Sequence, residues 1–311
     1  MPGPAHNFIA SMKAKIRQLR HTSKAASPAL RAASPDPPQL NDTFNTIDLH
    51  PPDQPQLTNE KVISVSTSPT VFPIGLTRLD IDKCADIRIN AFVEPVPENS
   101  VKVHLDTSED TVLYSAGCTW LEVYTNDRDF QFGTFSTIDD HPTDEPQALT
   151  SRMITFTKPF HGKPPIVVVW LNGLHISNSA NWRCKAYATD IAPDSFVVHI
   201  DTWADTILYS GTVSWIAYPS NRPNIASSSF NTPEVGSEAK NKGTTTFDPE
   251  FEYPPRVVAA LNWLDIENSA NLRLKLTITD VRKEGLTWCL DAWDDTTLHS
   301  AGASYIAILD F

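Results

Sequence analysis

The stretch Asn178-Ser179-Ala180-Asn181-Trp182-Arg183, followed by Asp201-Thr202-Trp203-Ala204-Asp205-Thr206-Ile207-Leu208-Tyr209-Ser210, occurs twice. Its second copy reads Asn268-Ser269-Ala270-Asn271-Leu272-Arg273, then Asp291-Ala292-Trp293-Asp294-Asp295-Thr296-Thr297-Leu298-His299-Ser300. A third version precedes both: Arg88, then Asp106-Thr107-Ser108-Glu109-Asp110-Thr111-Val112-Leu113-Tyr114-Ser115. Arg88 to Ser108, Arg183 to Trp203 and Arg273 to Trp293 are each 20 residues apart. A second pair of segments, Phe44 to Pro55 and Phe135 to Pro146, shares Phe, Thr, Ile, Asp, His, Pro, Asp and Pro at an offset of 91. A fixed period of this length is the mark of stacked structural units. The chain therefore divides into a tail, 1–40, and three tandem repeats, 41–126, 127–220 and 221–311.

Within each repeat the pattern has period two. Ser195 to Trp203 is dominated by β-branched and aromatic residues, and Val213, Trp215 and Ala217 alternate with Ser214 and Ile216. Pro164-Pro165 and Pro254-Pro255 each lead into an apolar run, where a strand begins and missing ladder donors do no harm. About six short strands per repeat, without a convincing helix, predict an all-β chain of three six-stranded antiparallel sandwiches. The 25 prolines against 11 glycines argue the same way.

The chain has 311 residues and a formal charge of −12, unevenly spread. Residues 1–35 carry six cations and no acid, leaving 19 basic and 37 acidic residues for the remainder. So acidic a body repels a phosphate backbone, and nucleic acid is not an expected partner. In the tail, Phe8, Ile9, Met12, Ile16 and Leu19 fall near helical spacing among basic residues. Either a basic amphipathic helix or a solvated tail fits that composition. The longest apolar run, Ile166 to Leu171, is far short of the ~20 residues of a membrane span, and no secretory leader is evident. A cytoplasmic or non-classically exported protein is expected. Cys84, Cys118, Cys184 and Cys289 form no CxxC pair, so they are expected to be mostly buried thiols, with neither a disulfide framework nor a metal site.

Enzymatic chemistry finds little support. Asp139/Asp140, Asp144/Glu145 and Asp294/Asp295 are carboxylate pairs of the type used in glycoside hydrolysis, but they also read as loop acids. No Gly-x-Ser-x-Gly turn, phosphate loop or calcium loop occurs. No cofactor is expected. The recurring set is one for binding: an Arg with a rigid fork of donors, an Asp, and a Trp whose apolar face suits the C–H-rich face of a sugar. Each member has a plainer reading. Trp203 sits at the surface or in the core, and Trp215 in the core. Arg183 and Arg273 bind ligand or pair with Asp190 and Asp280. His50, His141, Asp48 and Asp139 steady turns or contribute to a site.

The string from Ile154-Thr155-Phe156 through Pro164-Pro165, Asn181-Trp182-Arg183, Asp201-Thr202-Trp203 and Tyr209 to Val213-Ser214-Trp215-Ile216-Ala217 resembles the H-type lectin domain. The third repeat matches through Thr246-Phe247, Pro254-Pro255, Asn271-Leu272-Arg273, Trp293 and Ser304-Tyr305-Ile306-Ala307, and the first is more divergent. The resemblance implies sandwiches that bind galactose or N-acetylgalactosamine near subunit boundaries, in relatives that commonly trimerise. It implies a site made of a loop acid, the Arg, the Trp, a following His and a Tyr.

On that basis the second repeat supplies Asp144 or Glu145, Arg183, Trp203 and Tyr209, with Ala204 in place of the His. The third supplies Arg273, Trp293, Asp294 and His299, with Glu234 or Glu238 as its loop acid. The first keeps Asp53, Arg88 and Tyr114, but Ser108 replaces the Trp, which predicts a weak or inactive site. Three copies on one chain would make an intramolecular pseudo-trimer or a linear string, as a monomer or small homo-oligomer. The expected partners are glycans and glycoproteins. The rival expectations are a protein-interaction scaffold with decayed sugar sites and, less favoured, a glycan-processing enzyme.

Overall fold

The structure is a computed structural model that describes residues 42–65, 70–97, 99–235 and 241–309. The proposed amphipathic segment of the tail lies outside these residues. The first repeat contributes β1 (Thr43–Asn45), β2 (Glu60–Ser64), β3 (Thr70–Val71), β4 (Ile74–Ile81), β5 (Ile87–Val96), β6 (Ser100–Asp106), β7 (Leu113–Trp120) and β8 (Val123–Tyr124). The second contributes β9 (Gln131–Ser136), β10 (Leu149–Thr155), β11 (Ile166–Ile176), β12 (Trp182–Thr189), β13 (Ser195–Asp201) and β14 (Leu208–Tyr218). The third adds β15 (Ile225–Asn231), β16 (Lys242–Thr246), β17 (Arg256–Ile266), β18 (Leu272–Thr279), β19 (Gly285–Asp291) and β20 (Leu298–Ile308). All described pairings are antiparallel, and the only helical elements among the described residues are short 3-10 turns.

The all-β expectation holds, with one change in how the sheets are built. No repeat keeps its six strands to itself. Each divides into two three-stranded halves, and each half completes a six-stranded sheet with a neighbour, while β3 and β8 of repeat one form a separate two-stranded ladder. The sheet orders are β1-β7-β4-β18-β19-β16, β10-β13-β12-β17-β20-β15 and β2-β6-β5-β11-β14-β9. Repeat one thus joins repeat three, three joins two, and two joins one. The ring closes, which pairs strand edges that would otherwise be open at each seam.

The seams have one design. A long central strand pairs along its length with the last long strand of its own repeat (β7, β14 or β20) and, over four residues, with a neighbouring repeat. In β11 that segment is Gly173 to Ile176 against β5, in β17 Trp263 to Ile266 against β12, and in β4 Arg78 to Ile81 against β18. Each segment starts at a break in register, between Leu171 and Gly173, Leu261 and Trp263, and Leu76 and Arg78. Such a bulge bends the strand and re-aims the residues beyond it, here toward the neighbouring repeat.

Two cores result. The larger lies between the sheets and runs through all three repeats, from Phe44 and Leu79 to Trp288 and Tyr305. The smaller gathers Val168, Trp170, Val258 and Ala260 from the central strands β11 and β17, with Ile216 of β14 and Ile306 of β20. At its centre, Gly75, Trp170 and Ala260 hold the same strand position, three residues before Arg78, Gly173 and Trp263. A Cβ on Gly75 would come within 2.4 Å of the Ala260 Cβ and 2.7 Å of the Trp170 Cβ. One fully buried indole fills the axis, its Nε1–H donating to the Ser304 carbonyl at 3.0 Å.

The repeated Thr of the opening motif is a latch. Thr46, Thr137 and Thr232 each accept, through Oγ1, the backbone N–H of Ala116, Gly211 and Ala301 at 3.0–3.1 Å. His50 and His141 are buried and bond Asn59 at 2.6 Å and Thr150 at 3.0 Å, which makes them turn-holding residues. Trp215 is in the core as expected. The thiols differ from expectation: Cys118 and Cys184 are buried, Cys289 is half-buried and Cys84 is exposed on a seam loop.

Candidate functional site

The three arginines stand at the starts of β5, β12 and β18, the strands that meet the neighbouring repeat. Arg183 Nη1 donates to Asp205 Oδ1 at 2.7 Å and to Thr206 Oγ1 at 3.2 Å, and its Nε lies 3.3 Å from Asp265 of the third repeat. Arg273 does the same with Asp295 at 2.6 Å and with Asp80 of the first repeat at 3.5 Å, with Asp294 at 3.7 Å. Arg88 is ringed by Asp110 at 2.8 Å, Glu109 at 2.9 Å and Asp86 at 3.4 Å. The alternative pairing of Arg183 and Arg273 with Asp190 and Asp280 is therefore incorrect. Those two acids sit at left-handed turn positions, φ 50° and 51°, at the far ends of β12 and β18.

The Asp-Thr-x-x-Asp-Thr pattern explains itself locally. Thr107 and Thr202 donate through their hydroxyls to the carbonyls of Arg88 (2.6 Å) and Arg183 (2.7 Å). Thr111, Thr206 and Thr296 donate to the carbonyls of Asp86, Asn181 and Asn271. These bonds tie the loop after β6, β13 or β19 to the strand end that carries the Arg. The third repeat has Ala292 where the first two have the tethering Thr. The loop turns through a non-glycine residue in the left-handed region: Glu109 and Ala204 at φ 57°, Asp294 at 54°.

The loop acids arrive from the other side. The Thr107 N–H donates to the Leu57 carbonyl and the Thr202 N–H to the Ala148 carbonyl, which seats 51–58 and 142–149 beside the aromatic position. Asp53, Asp144 and Glu145 are exposed in those loops. Of Glu234 only the backbone is described, in a short 3-10 turn, and Glu238 lies outside the described residues. Among the other acid pairs, Asp140 binds Arg152 and Asp139 accepts the Ser136 N–H, so both have turn-stabilising work.

The seam brings residues together that the repeat alone does not. Opposite Arg88 in register stands His175, opposite Arg183 Asp265, and opposite Arg273 Asp80. The Tyr or His six residues past the aromatic position belongs to the neighbouring seam. The Tyr209 ring lies 4.6 Å from that of His175, which puts it on the Arg88 side rather than with Arg183. The Tyr114 hydroxyl donates to Asp82 at 2.9 Å, in the loop whose Lys83 N–H donates to Asn271 on the Arg273 side. His299, exposed, precedes Ser300, the register partner of Asp265 on the Arg183 side.

The seams differ in what fills them. Trp203 and Trp293 are both half-buried, but the Trp293 ring carries the Arg78 guanidinium 4.7 Å from its centroid. In the Arg183 seam, Lys185 lies 4.3 Å over Trp263 instead. In the Arg88 seam the matching positions hold Ser108, Gly173 and Asn90, and a cleft of about 400 Å³ opens there between repeats one and two. Hydrogen bonds from Arg183 and Arg273 hold the Asp205 and Asp295 carboxyls below their usual range. Burial raises the Asp80 carboxyl despite Arg273 and Arg78. Burial and then the Arg88 charge lower the His175 imidazole.

His175, Asp265, Asp80, Arg78 and Gly173 were not among the residues singled out from the sequence. One signal was there: His175 and Asp265 both stand three residues before the repeated Asn-Ser-Ala.

The sheets close a ring with an Arg and its acids at every seam and an indole, Trp203 or Trp293, at two of the three. The H-type lectin domain model matches residues 66–121, 151–218 and 242–308, together more than half of the chain. The chain belongs to the H-type lectin domain family, and it is a carbohydrate-binding lectin by that membership. No curated protein matches it. Among solved structures it is similar to recombinant discoidin II of Dictyostelium discoideum, at 17% identity and a TM-score of 0.27, over 52% of this chain and 78% of that one. Among the described residues no helix is long and apolar enough to cross a membrane, and no cluster of metal-binding side chains occurs.

Proposed function

We propose that the protein binds terminal galactose or N-acetylgalactosamine on glycans and glycoproteins, multivalently, through three unequal seam sites. The observation that carries this is the Arg183 seam. There a guanidinium held by two carboxylates stands in the same loop system as Trp203, which carries no cation on its ring among the described contacts. Asp144 and Glu145 lie in the adjoining loop. Arg supplies fixed donors to vicinal hydroxyls, and an indole face suits the apolar face of a galactose-type ring. Linked sites whose geometry lets them engage together gain avidity without new contacts, which supports an agglutinating or adhesive use. The repeat boundaries at 126/127 and 220/221 belong to the same reading, since they fall in the loops between β8 and β9 and between β14 and β15.

The intact protein on a glycan array, beside Trp203→Ala and Trp293→Ala, tests this. The expected result is retention by terminal galactose or N-acetylgalactosamine that falls at least tenfold with Trp203→Ala and less with Trp293→Ala. Two observations favour a second reading, a scaffold with decayed sugar sites: Arg78 covers Trp293, and Ser108 stands at the first repeat's indole position. Folded protein that retains no glycan would leave that reading standing.

A further inference from the structure

We propose that the apolar cavity between repeats one and two, distinct from the Arg88 cleft of the same seam, is a second kind of ligand site, one that takes a compact apolar alcohol. The cavity measures about 580 Å³, within the span of small-molecule sites, and lies toward the Val96 end of β5. Its walls are Phe72, Phe92, Phe132, Val93 and Val101, and Asn172 and Ser214 lie among its lining residues. Phe92 is itself fixed by a parallel stack on His104, with ring centroids 4.4 Å apart.

Asn172 is the deciding residue. It is the bulged residue of β11 and only 4% exposed. Its amide nitrogen donates to Ser214 Oγ at 3.3 Å, while its Oδ1, equally buried, has no partner among the described residues. Buried polar groups in native proteins are overwhelmingly paired, so an orphaned acceptor on an apolar cavity calls for a partner that comes from outside. A hydroxyl suits it best, because it donates to the amide oxygen and equally accepts from the amide nitrogen.

The internal symmetry supplies a comparison within the same molecule. The equivalent space between repeats two and three is about 250 Å³. There Tyr187 replaces Phe92, Ser227 replaces Phe132 and Val167 replaces Phe72. The matching amide, Asn262, donates to Ser304 Oγ at 2.7 Å, and that hydroxyl donates onward to the Val169 carbonyl at 3.0 Å. At the third seam Thr77 stands in place of the Asn. Only the seam of repeats one and two combines three Phe walls, the larger volume and the orphaned acceptor among the described residues.

The probe is 2-naphthol, with naphthalene as its hydroxyl-free counterpart, titrated into the full-length protein by fluorescence and calorimetry. Saturable 1:1 binding of 2-naphthol is expected. Thr134→Trp, on the cavity rim, is expected to abolish binding of both probes. Asn172→Leu is expected to weaken 2-naphthol about tenfold and leave naphthalene unchanged. Glycan retention and melting temperature report that each variant is folded, and Val93→Trp replaces Thr134→Trp if that variant is not. The proposal is overturned by absence of saturable binding, by binding that survives the filled cavity, or by an Asn172→Leu loss equal for both probes.

Discussion

At the scale of single residues the seam sites trade comfort for position. Ala204 occupies the left-handed region, which costs an L-residue about 1–2 kcal/mol, against the ~0.5–1 kcal/mol entropic cost of glycine. Ala204→Gly should therefore stabilise the protein by up to ~1 kcal/mol in urea denaturation, and a loss of stability would mean that the turn is not strained. His175 tests the electrostatics. Its folded pKa lies below the unfolded value near 6.5, so the unfolded chain takes up the proton first. The stability this residue allows is complete above about 6.5 and is lost as pH falls through the window beneath. His175→Gln should flatten that part of the melting-temperature profile, and a profile that falls as steeply as in the parent would refute it. Residues that repeat, such as Arg183 and Thr202, were legible because the pattern recurs from copy to copy, and the bonds Arg183 to Asp205 and Thr202 to the Arg183 carbonyl lie within one copy. Asp265, His175 and Asp80 were not, because their role exists only once a strand of another repeat lies alongside.

At the scale of elements the strands were plain and their partners were not. Alternation in β13 marks one buried and one half-buried face, β14 is buried on both faces from Val213 to Tyr218, and the proline pairs mark the starts of β11 and β17. Nothing in that alternation says that β5 continues into β11 rather than into a strand of its own repeat, since hydrophobic patterning specifies a face and not a neighbour. The bulges at Thr77, Asn172 and Asn262 make the choice, and they are visible only in the register. The axis shows how far the central strands have diverged. Trp170 fits because its counterparts are Gly75 and Ala260, so the three positions are packed as one unit. Gly75→Val drives a side chain into the Trp170 and Ala260 Cβ atoms and should cost ~1–3 kcal/mol. Equilibrium denaturation measures it, and an unchanged midpoint would show that the axis is looser than described.

At the scale of the whole molecule, the chain does within one polypeptide what a symmetric trimer does with three. A trimer would repeat every substitution three times, and three indoles at the axis would not fit. Three repeats on one chain let each seam be altered alone. One seam has Trp203 with no cation over its ring among the described contacts, one has its indole capped by Arg78, and one has a cleft at Ser108 and Gly173. Unequal seams on a closed ring are the consequence. If each glycan site is built by two repeats, a change in one repeat must reach the sugar held by another. Calorimetric titration of an N-acetylgalactosamine-terminated oligosaccharide into Asp265→Ala, beside Trp203→Ala and the parent protein, puts this to the test. Asp265→Ala, a change in the third repeat, is expected to weaken the same binding event that Trp203→Ala removes from the second. Binding that depends on Trp203 and is indifferent to Asp265 would contradict the two-repeat site.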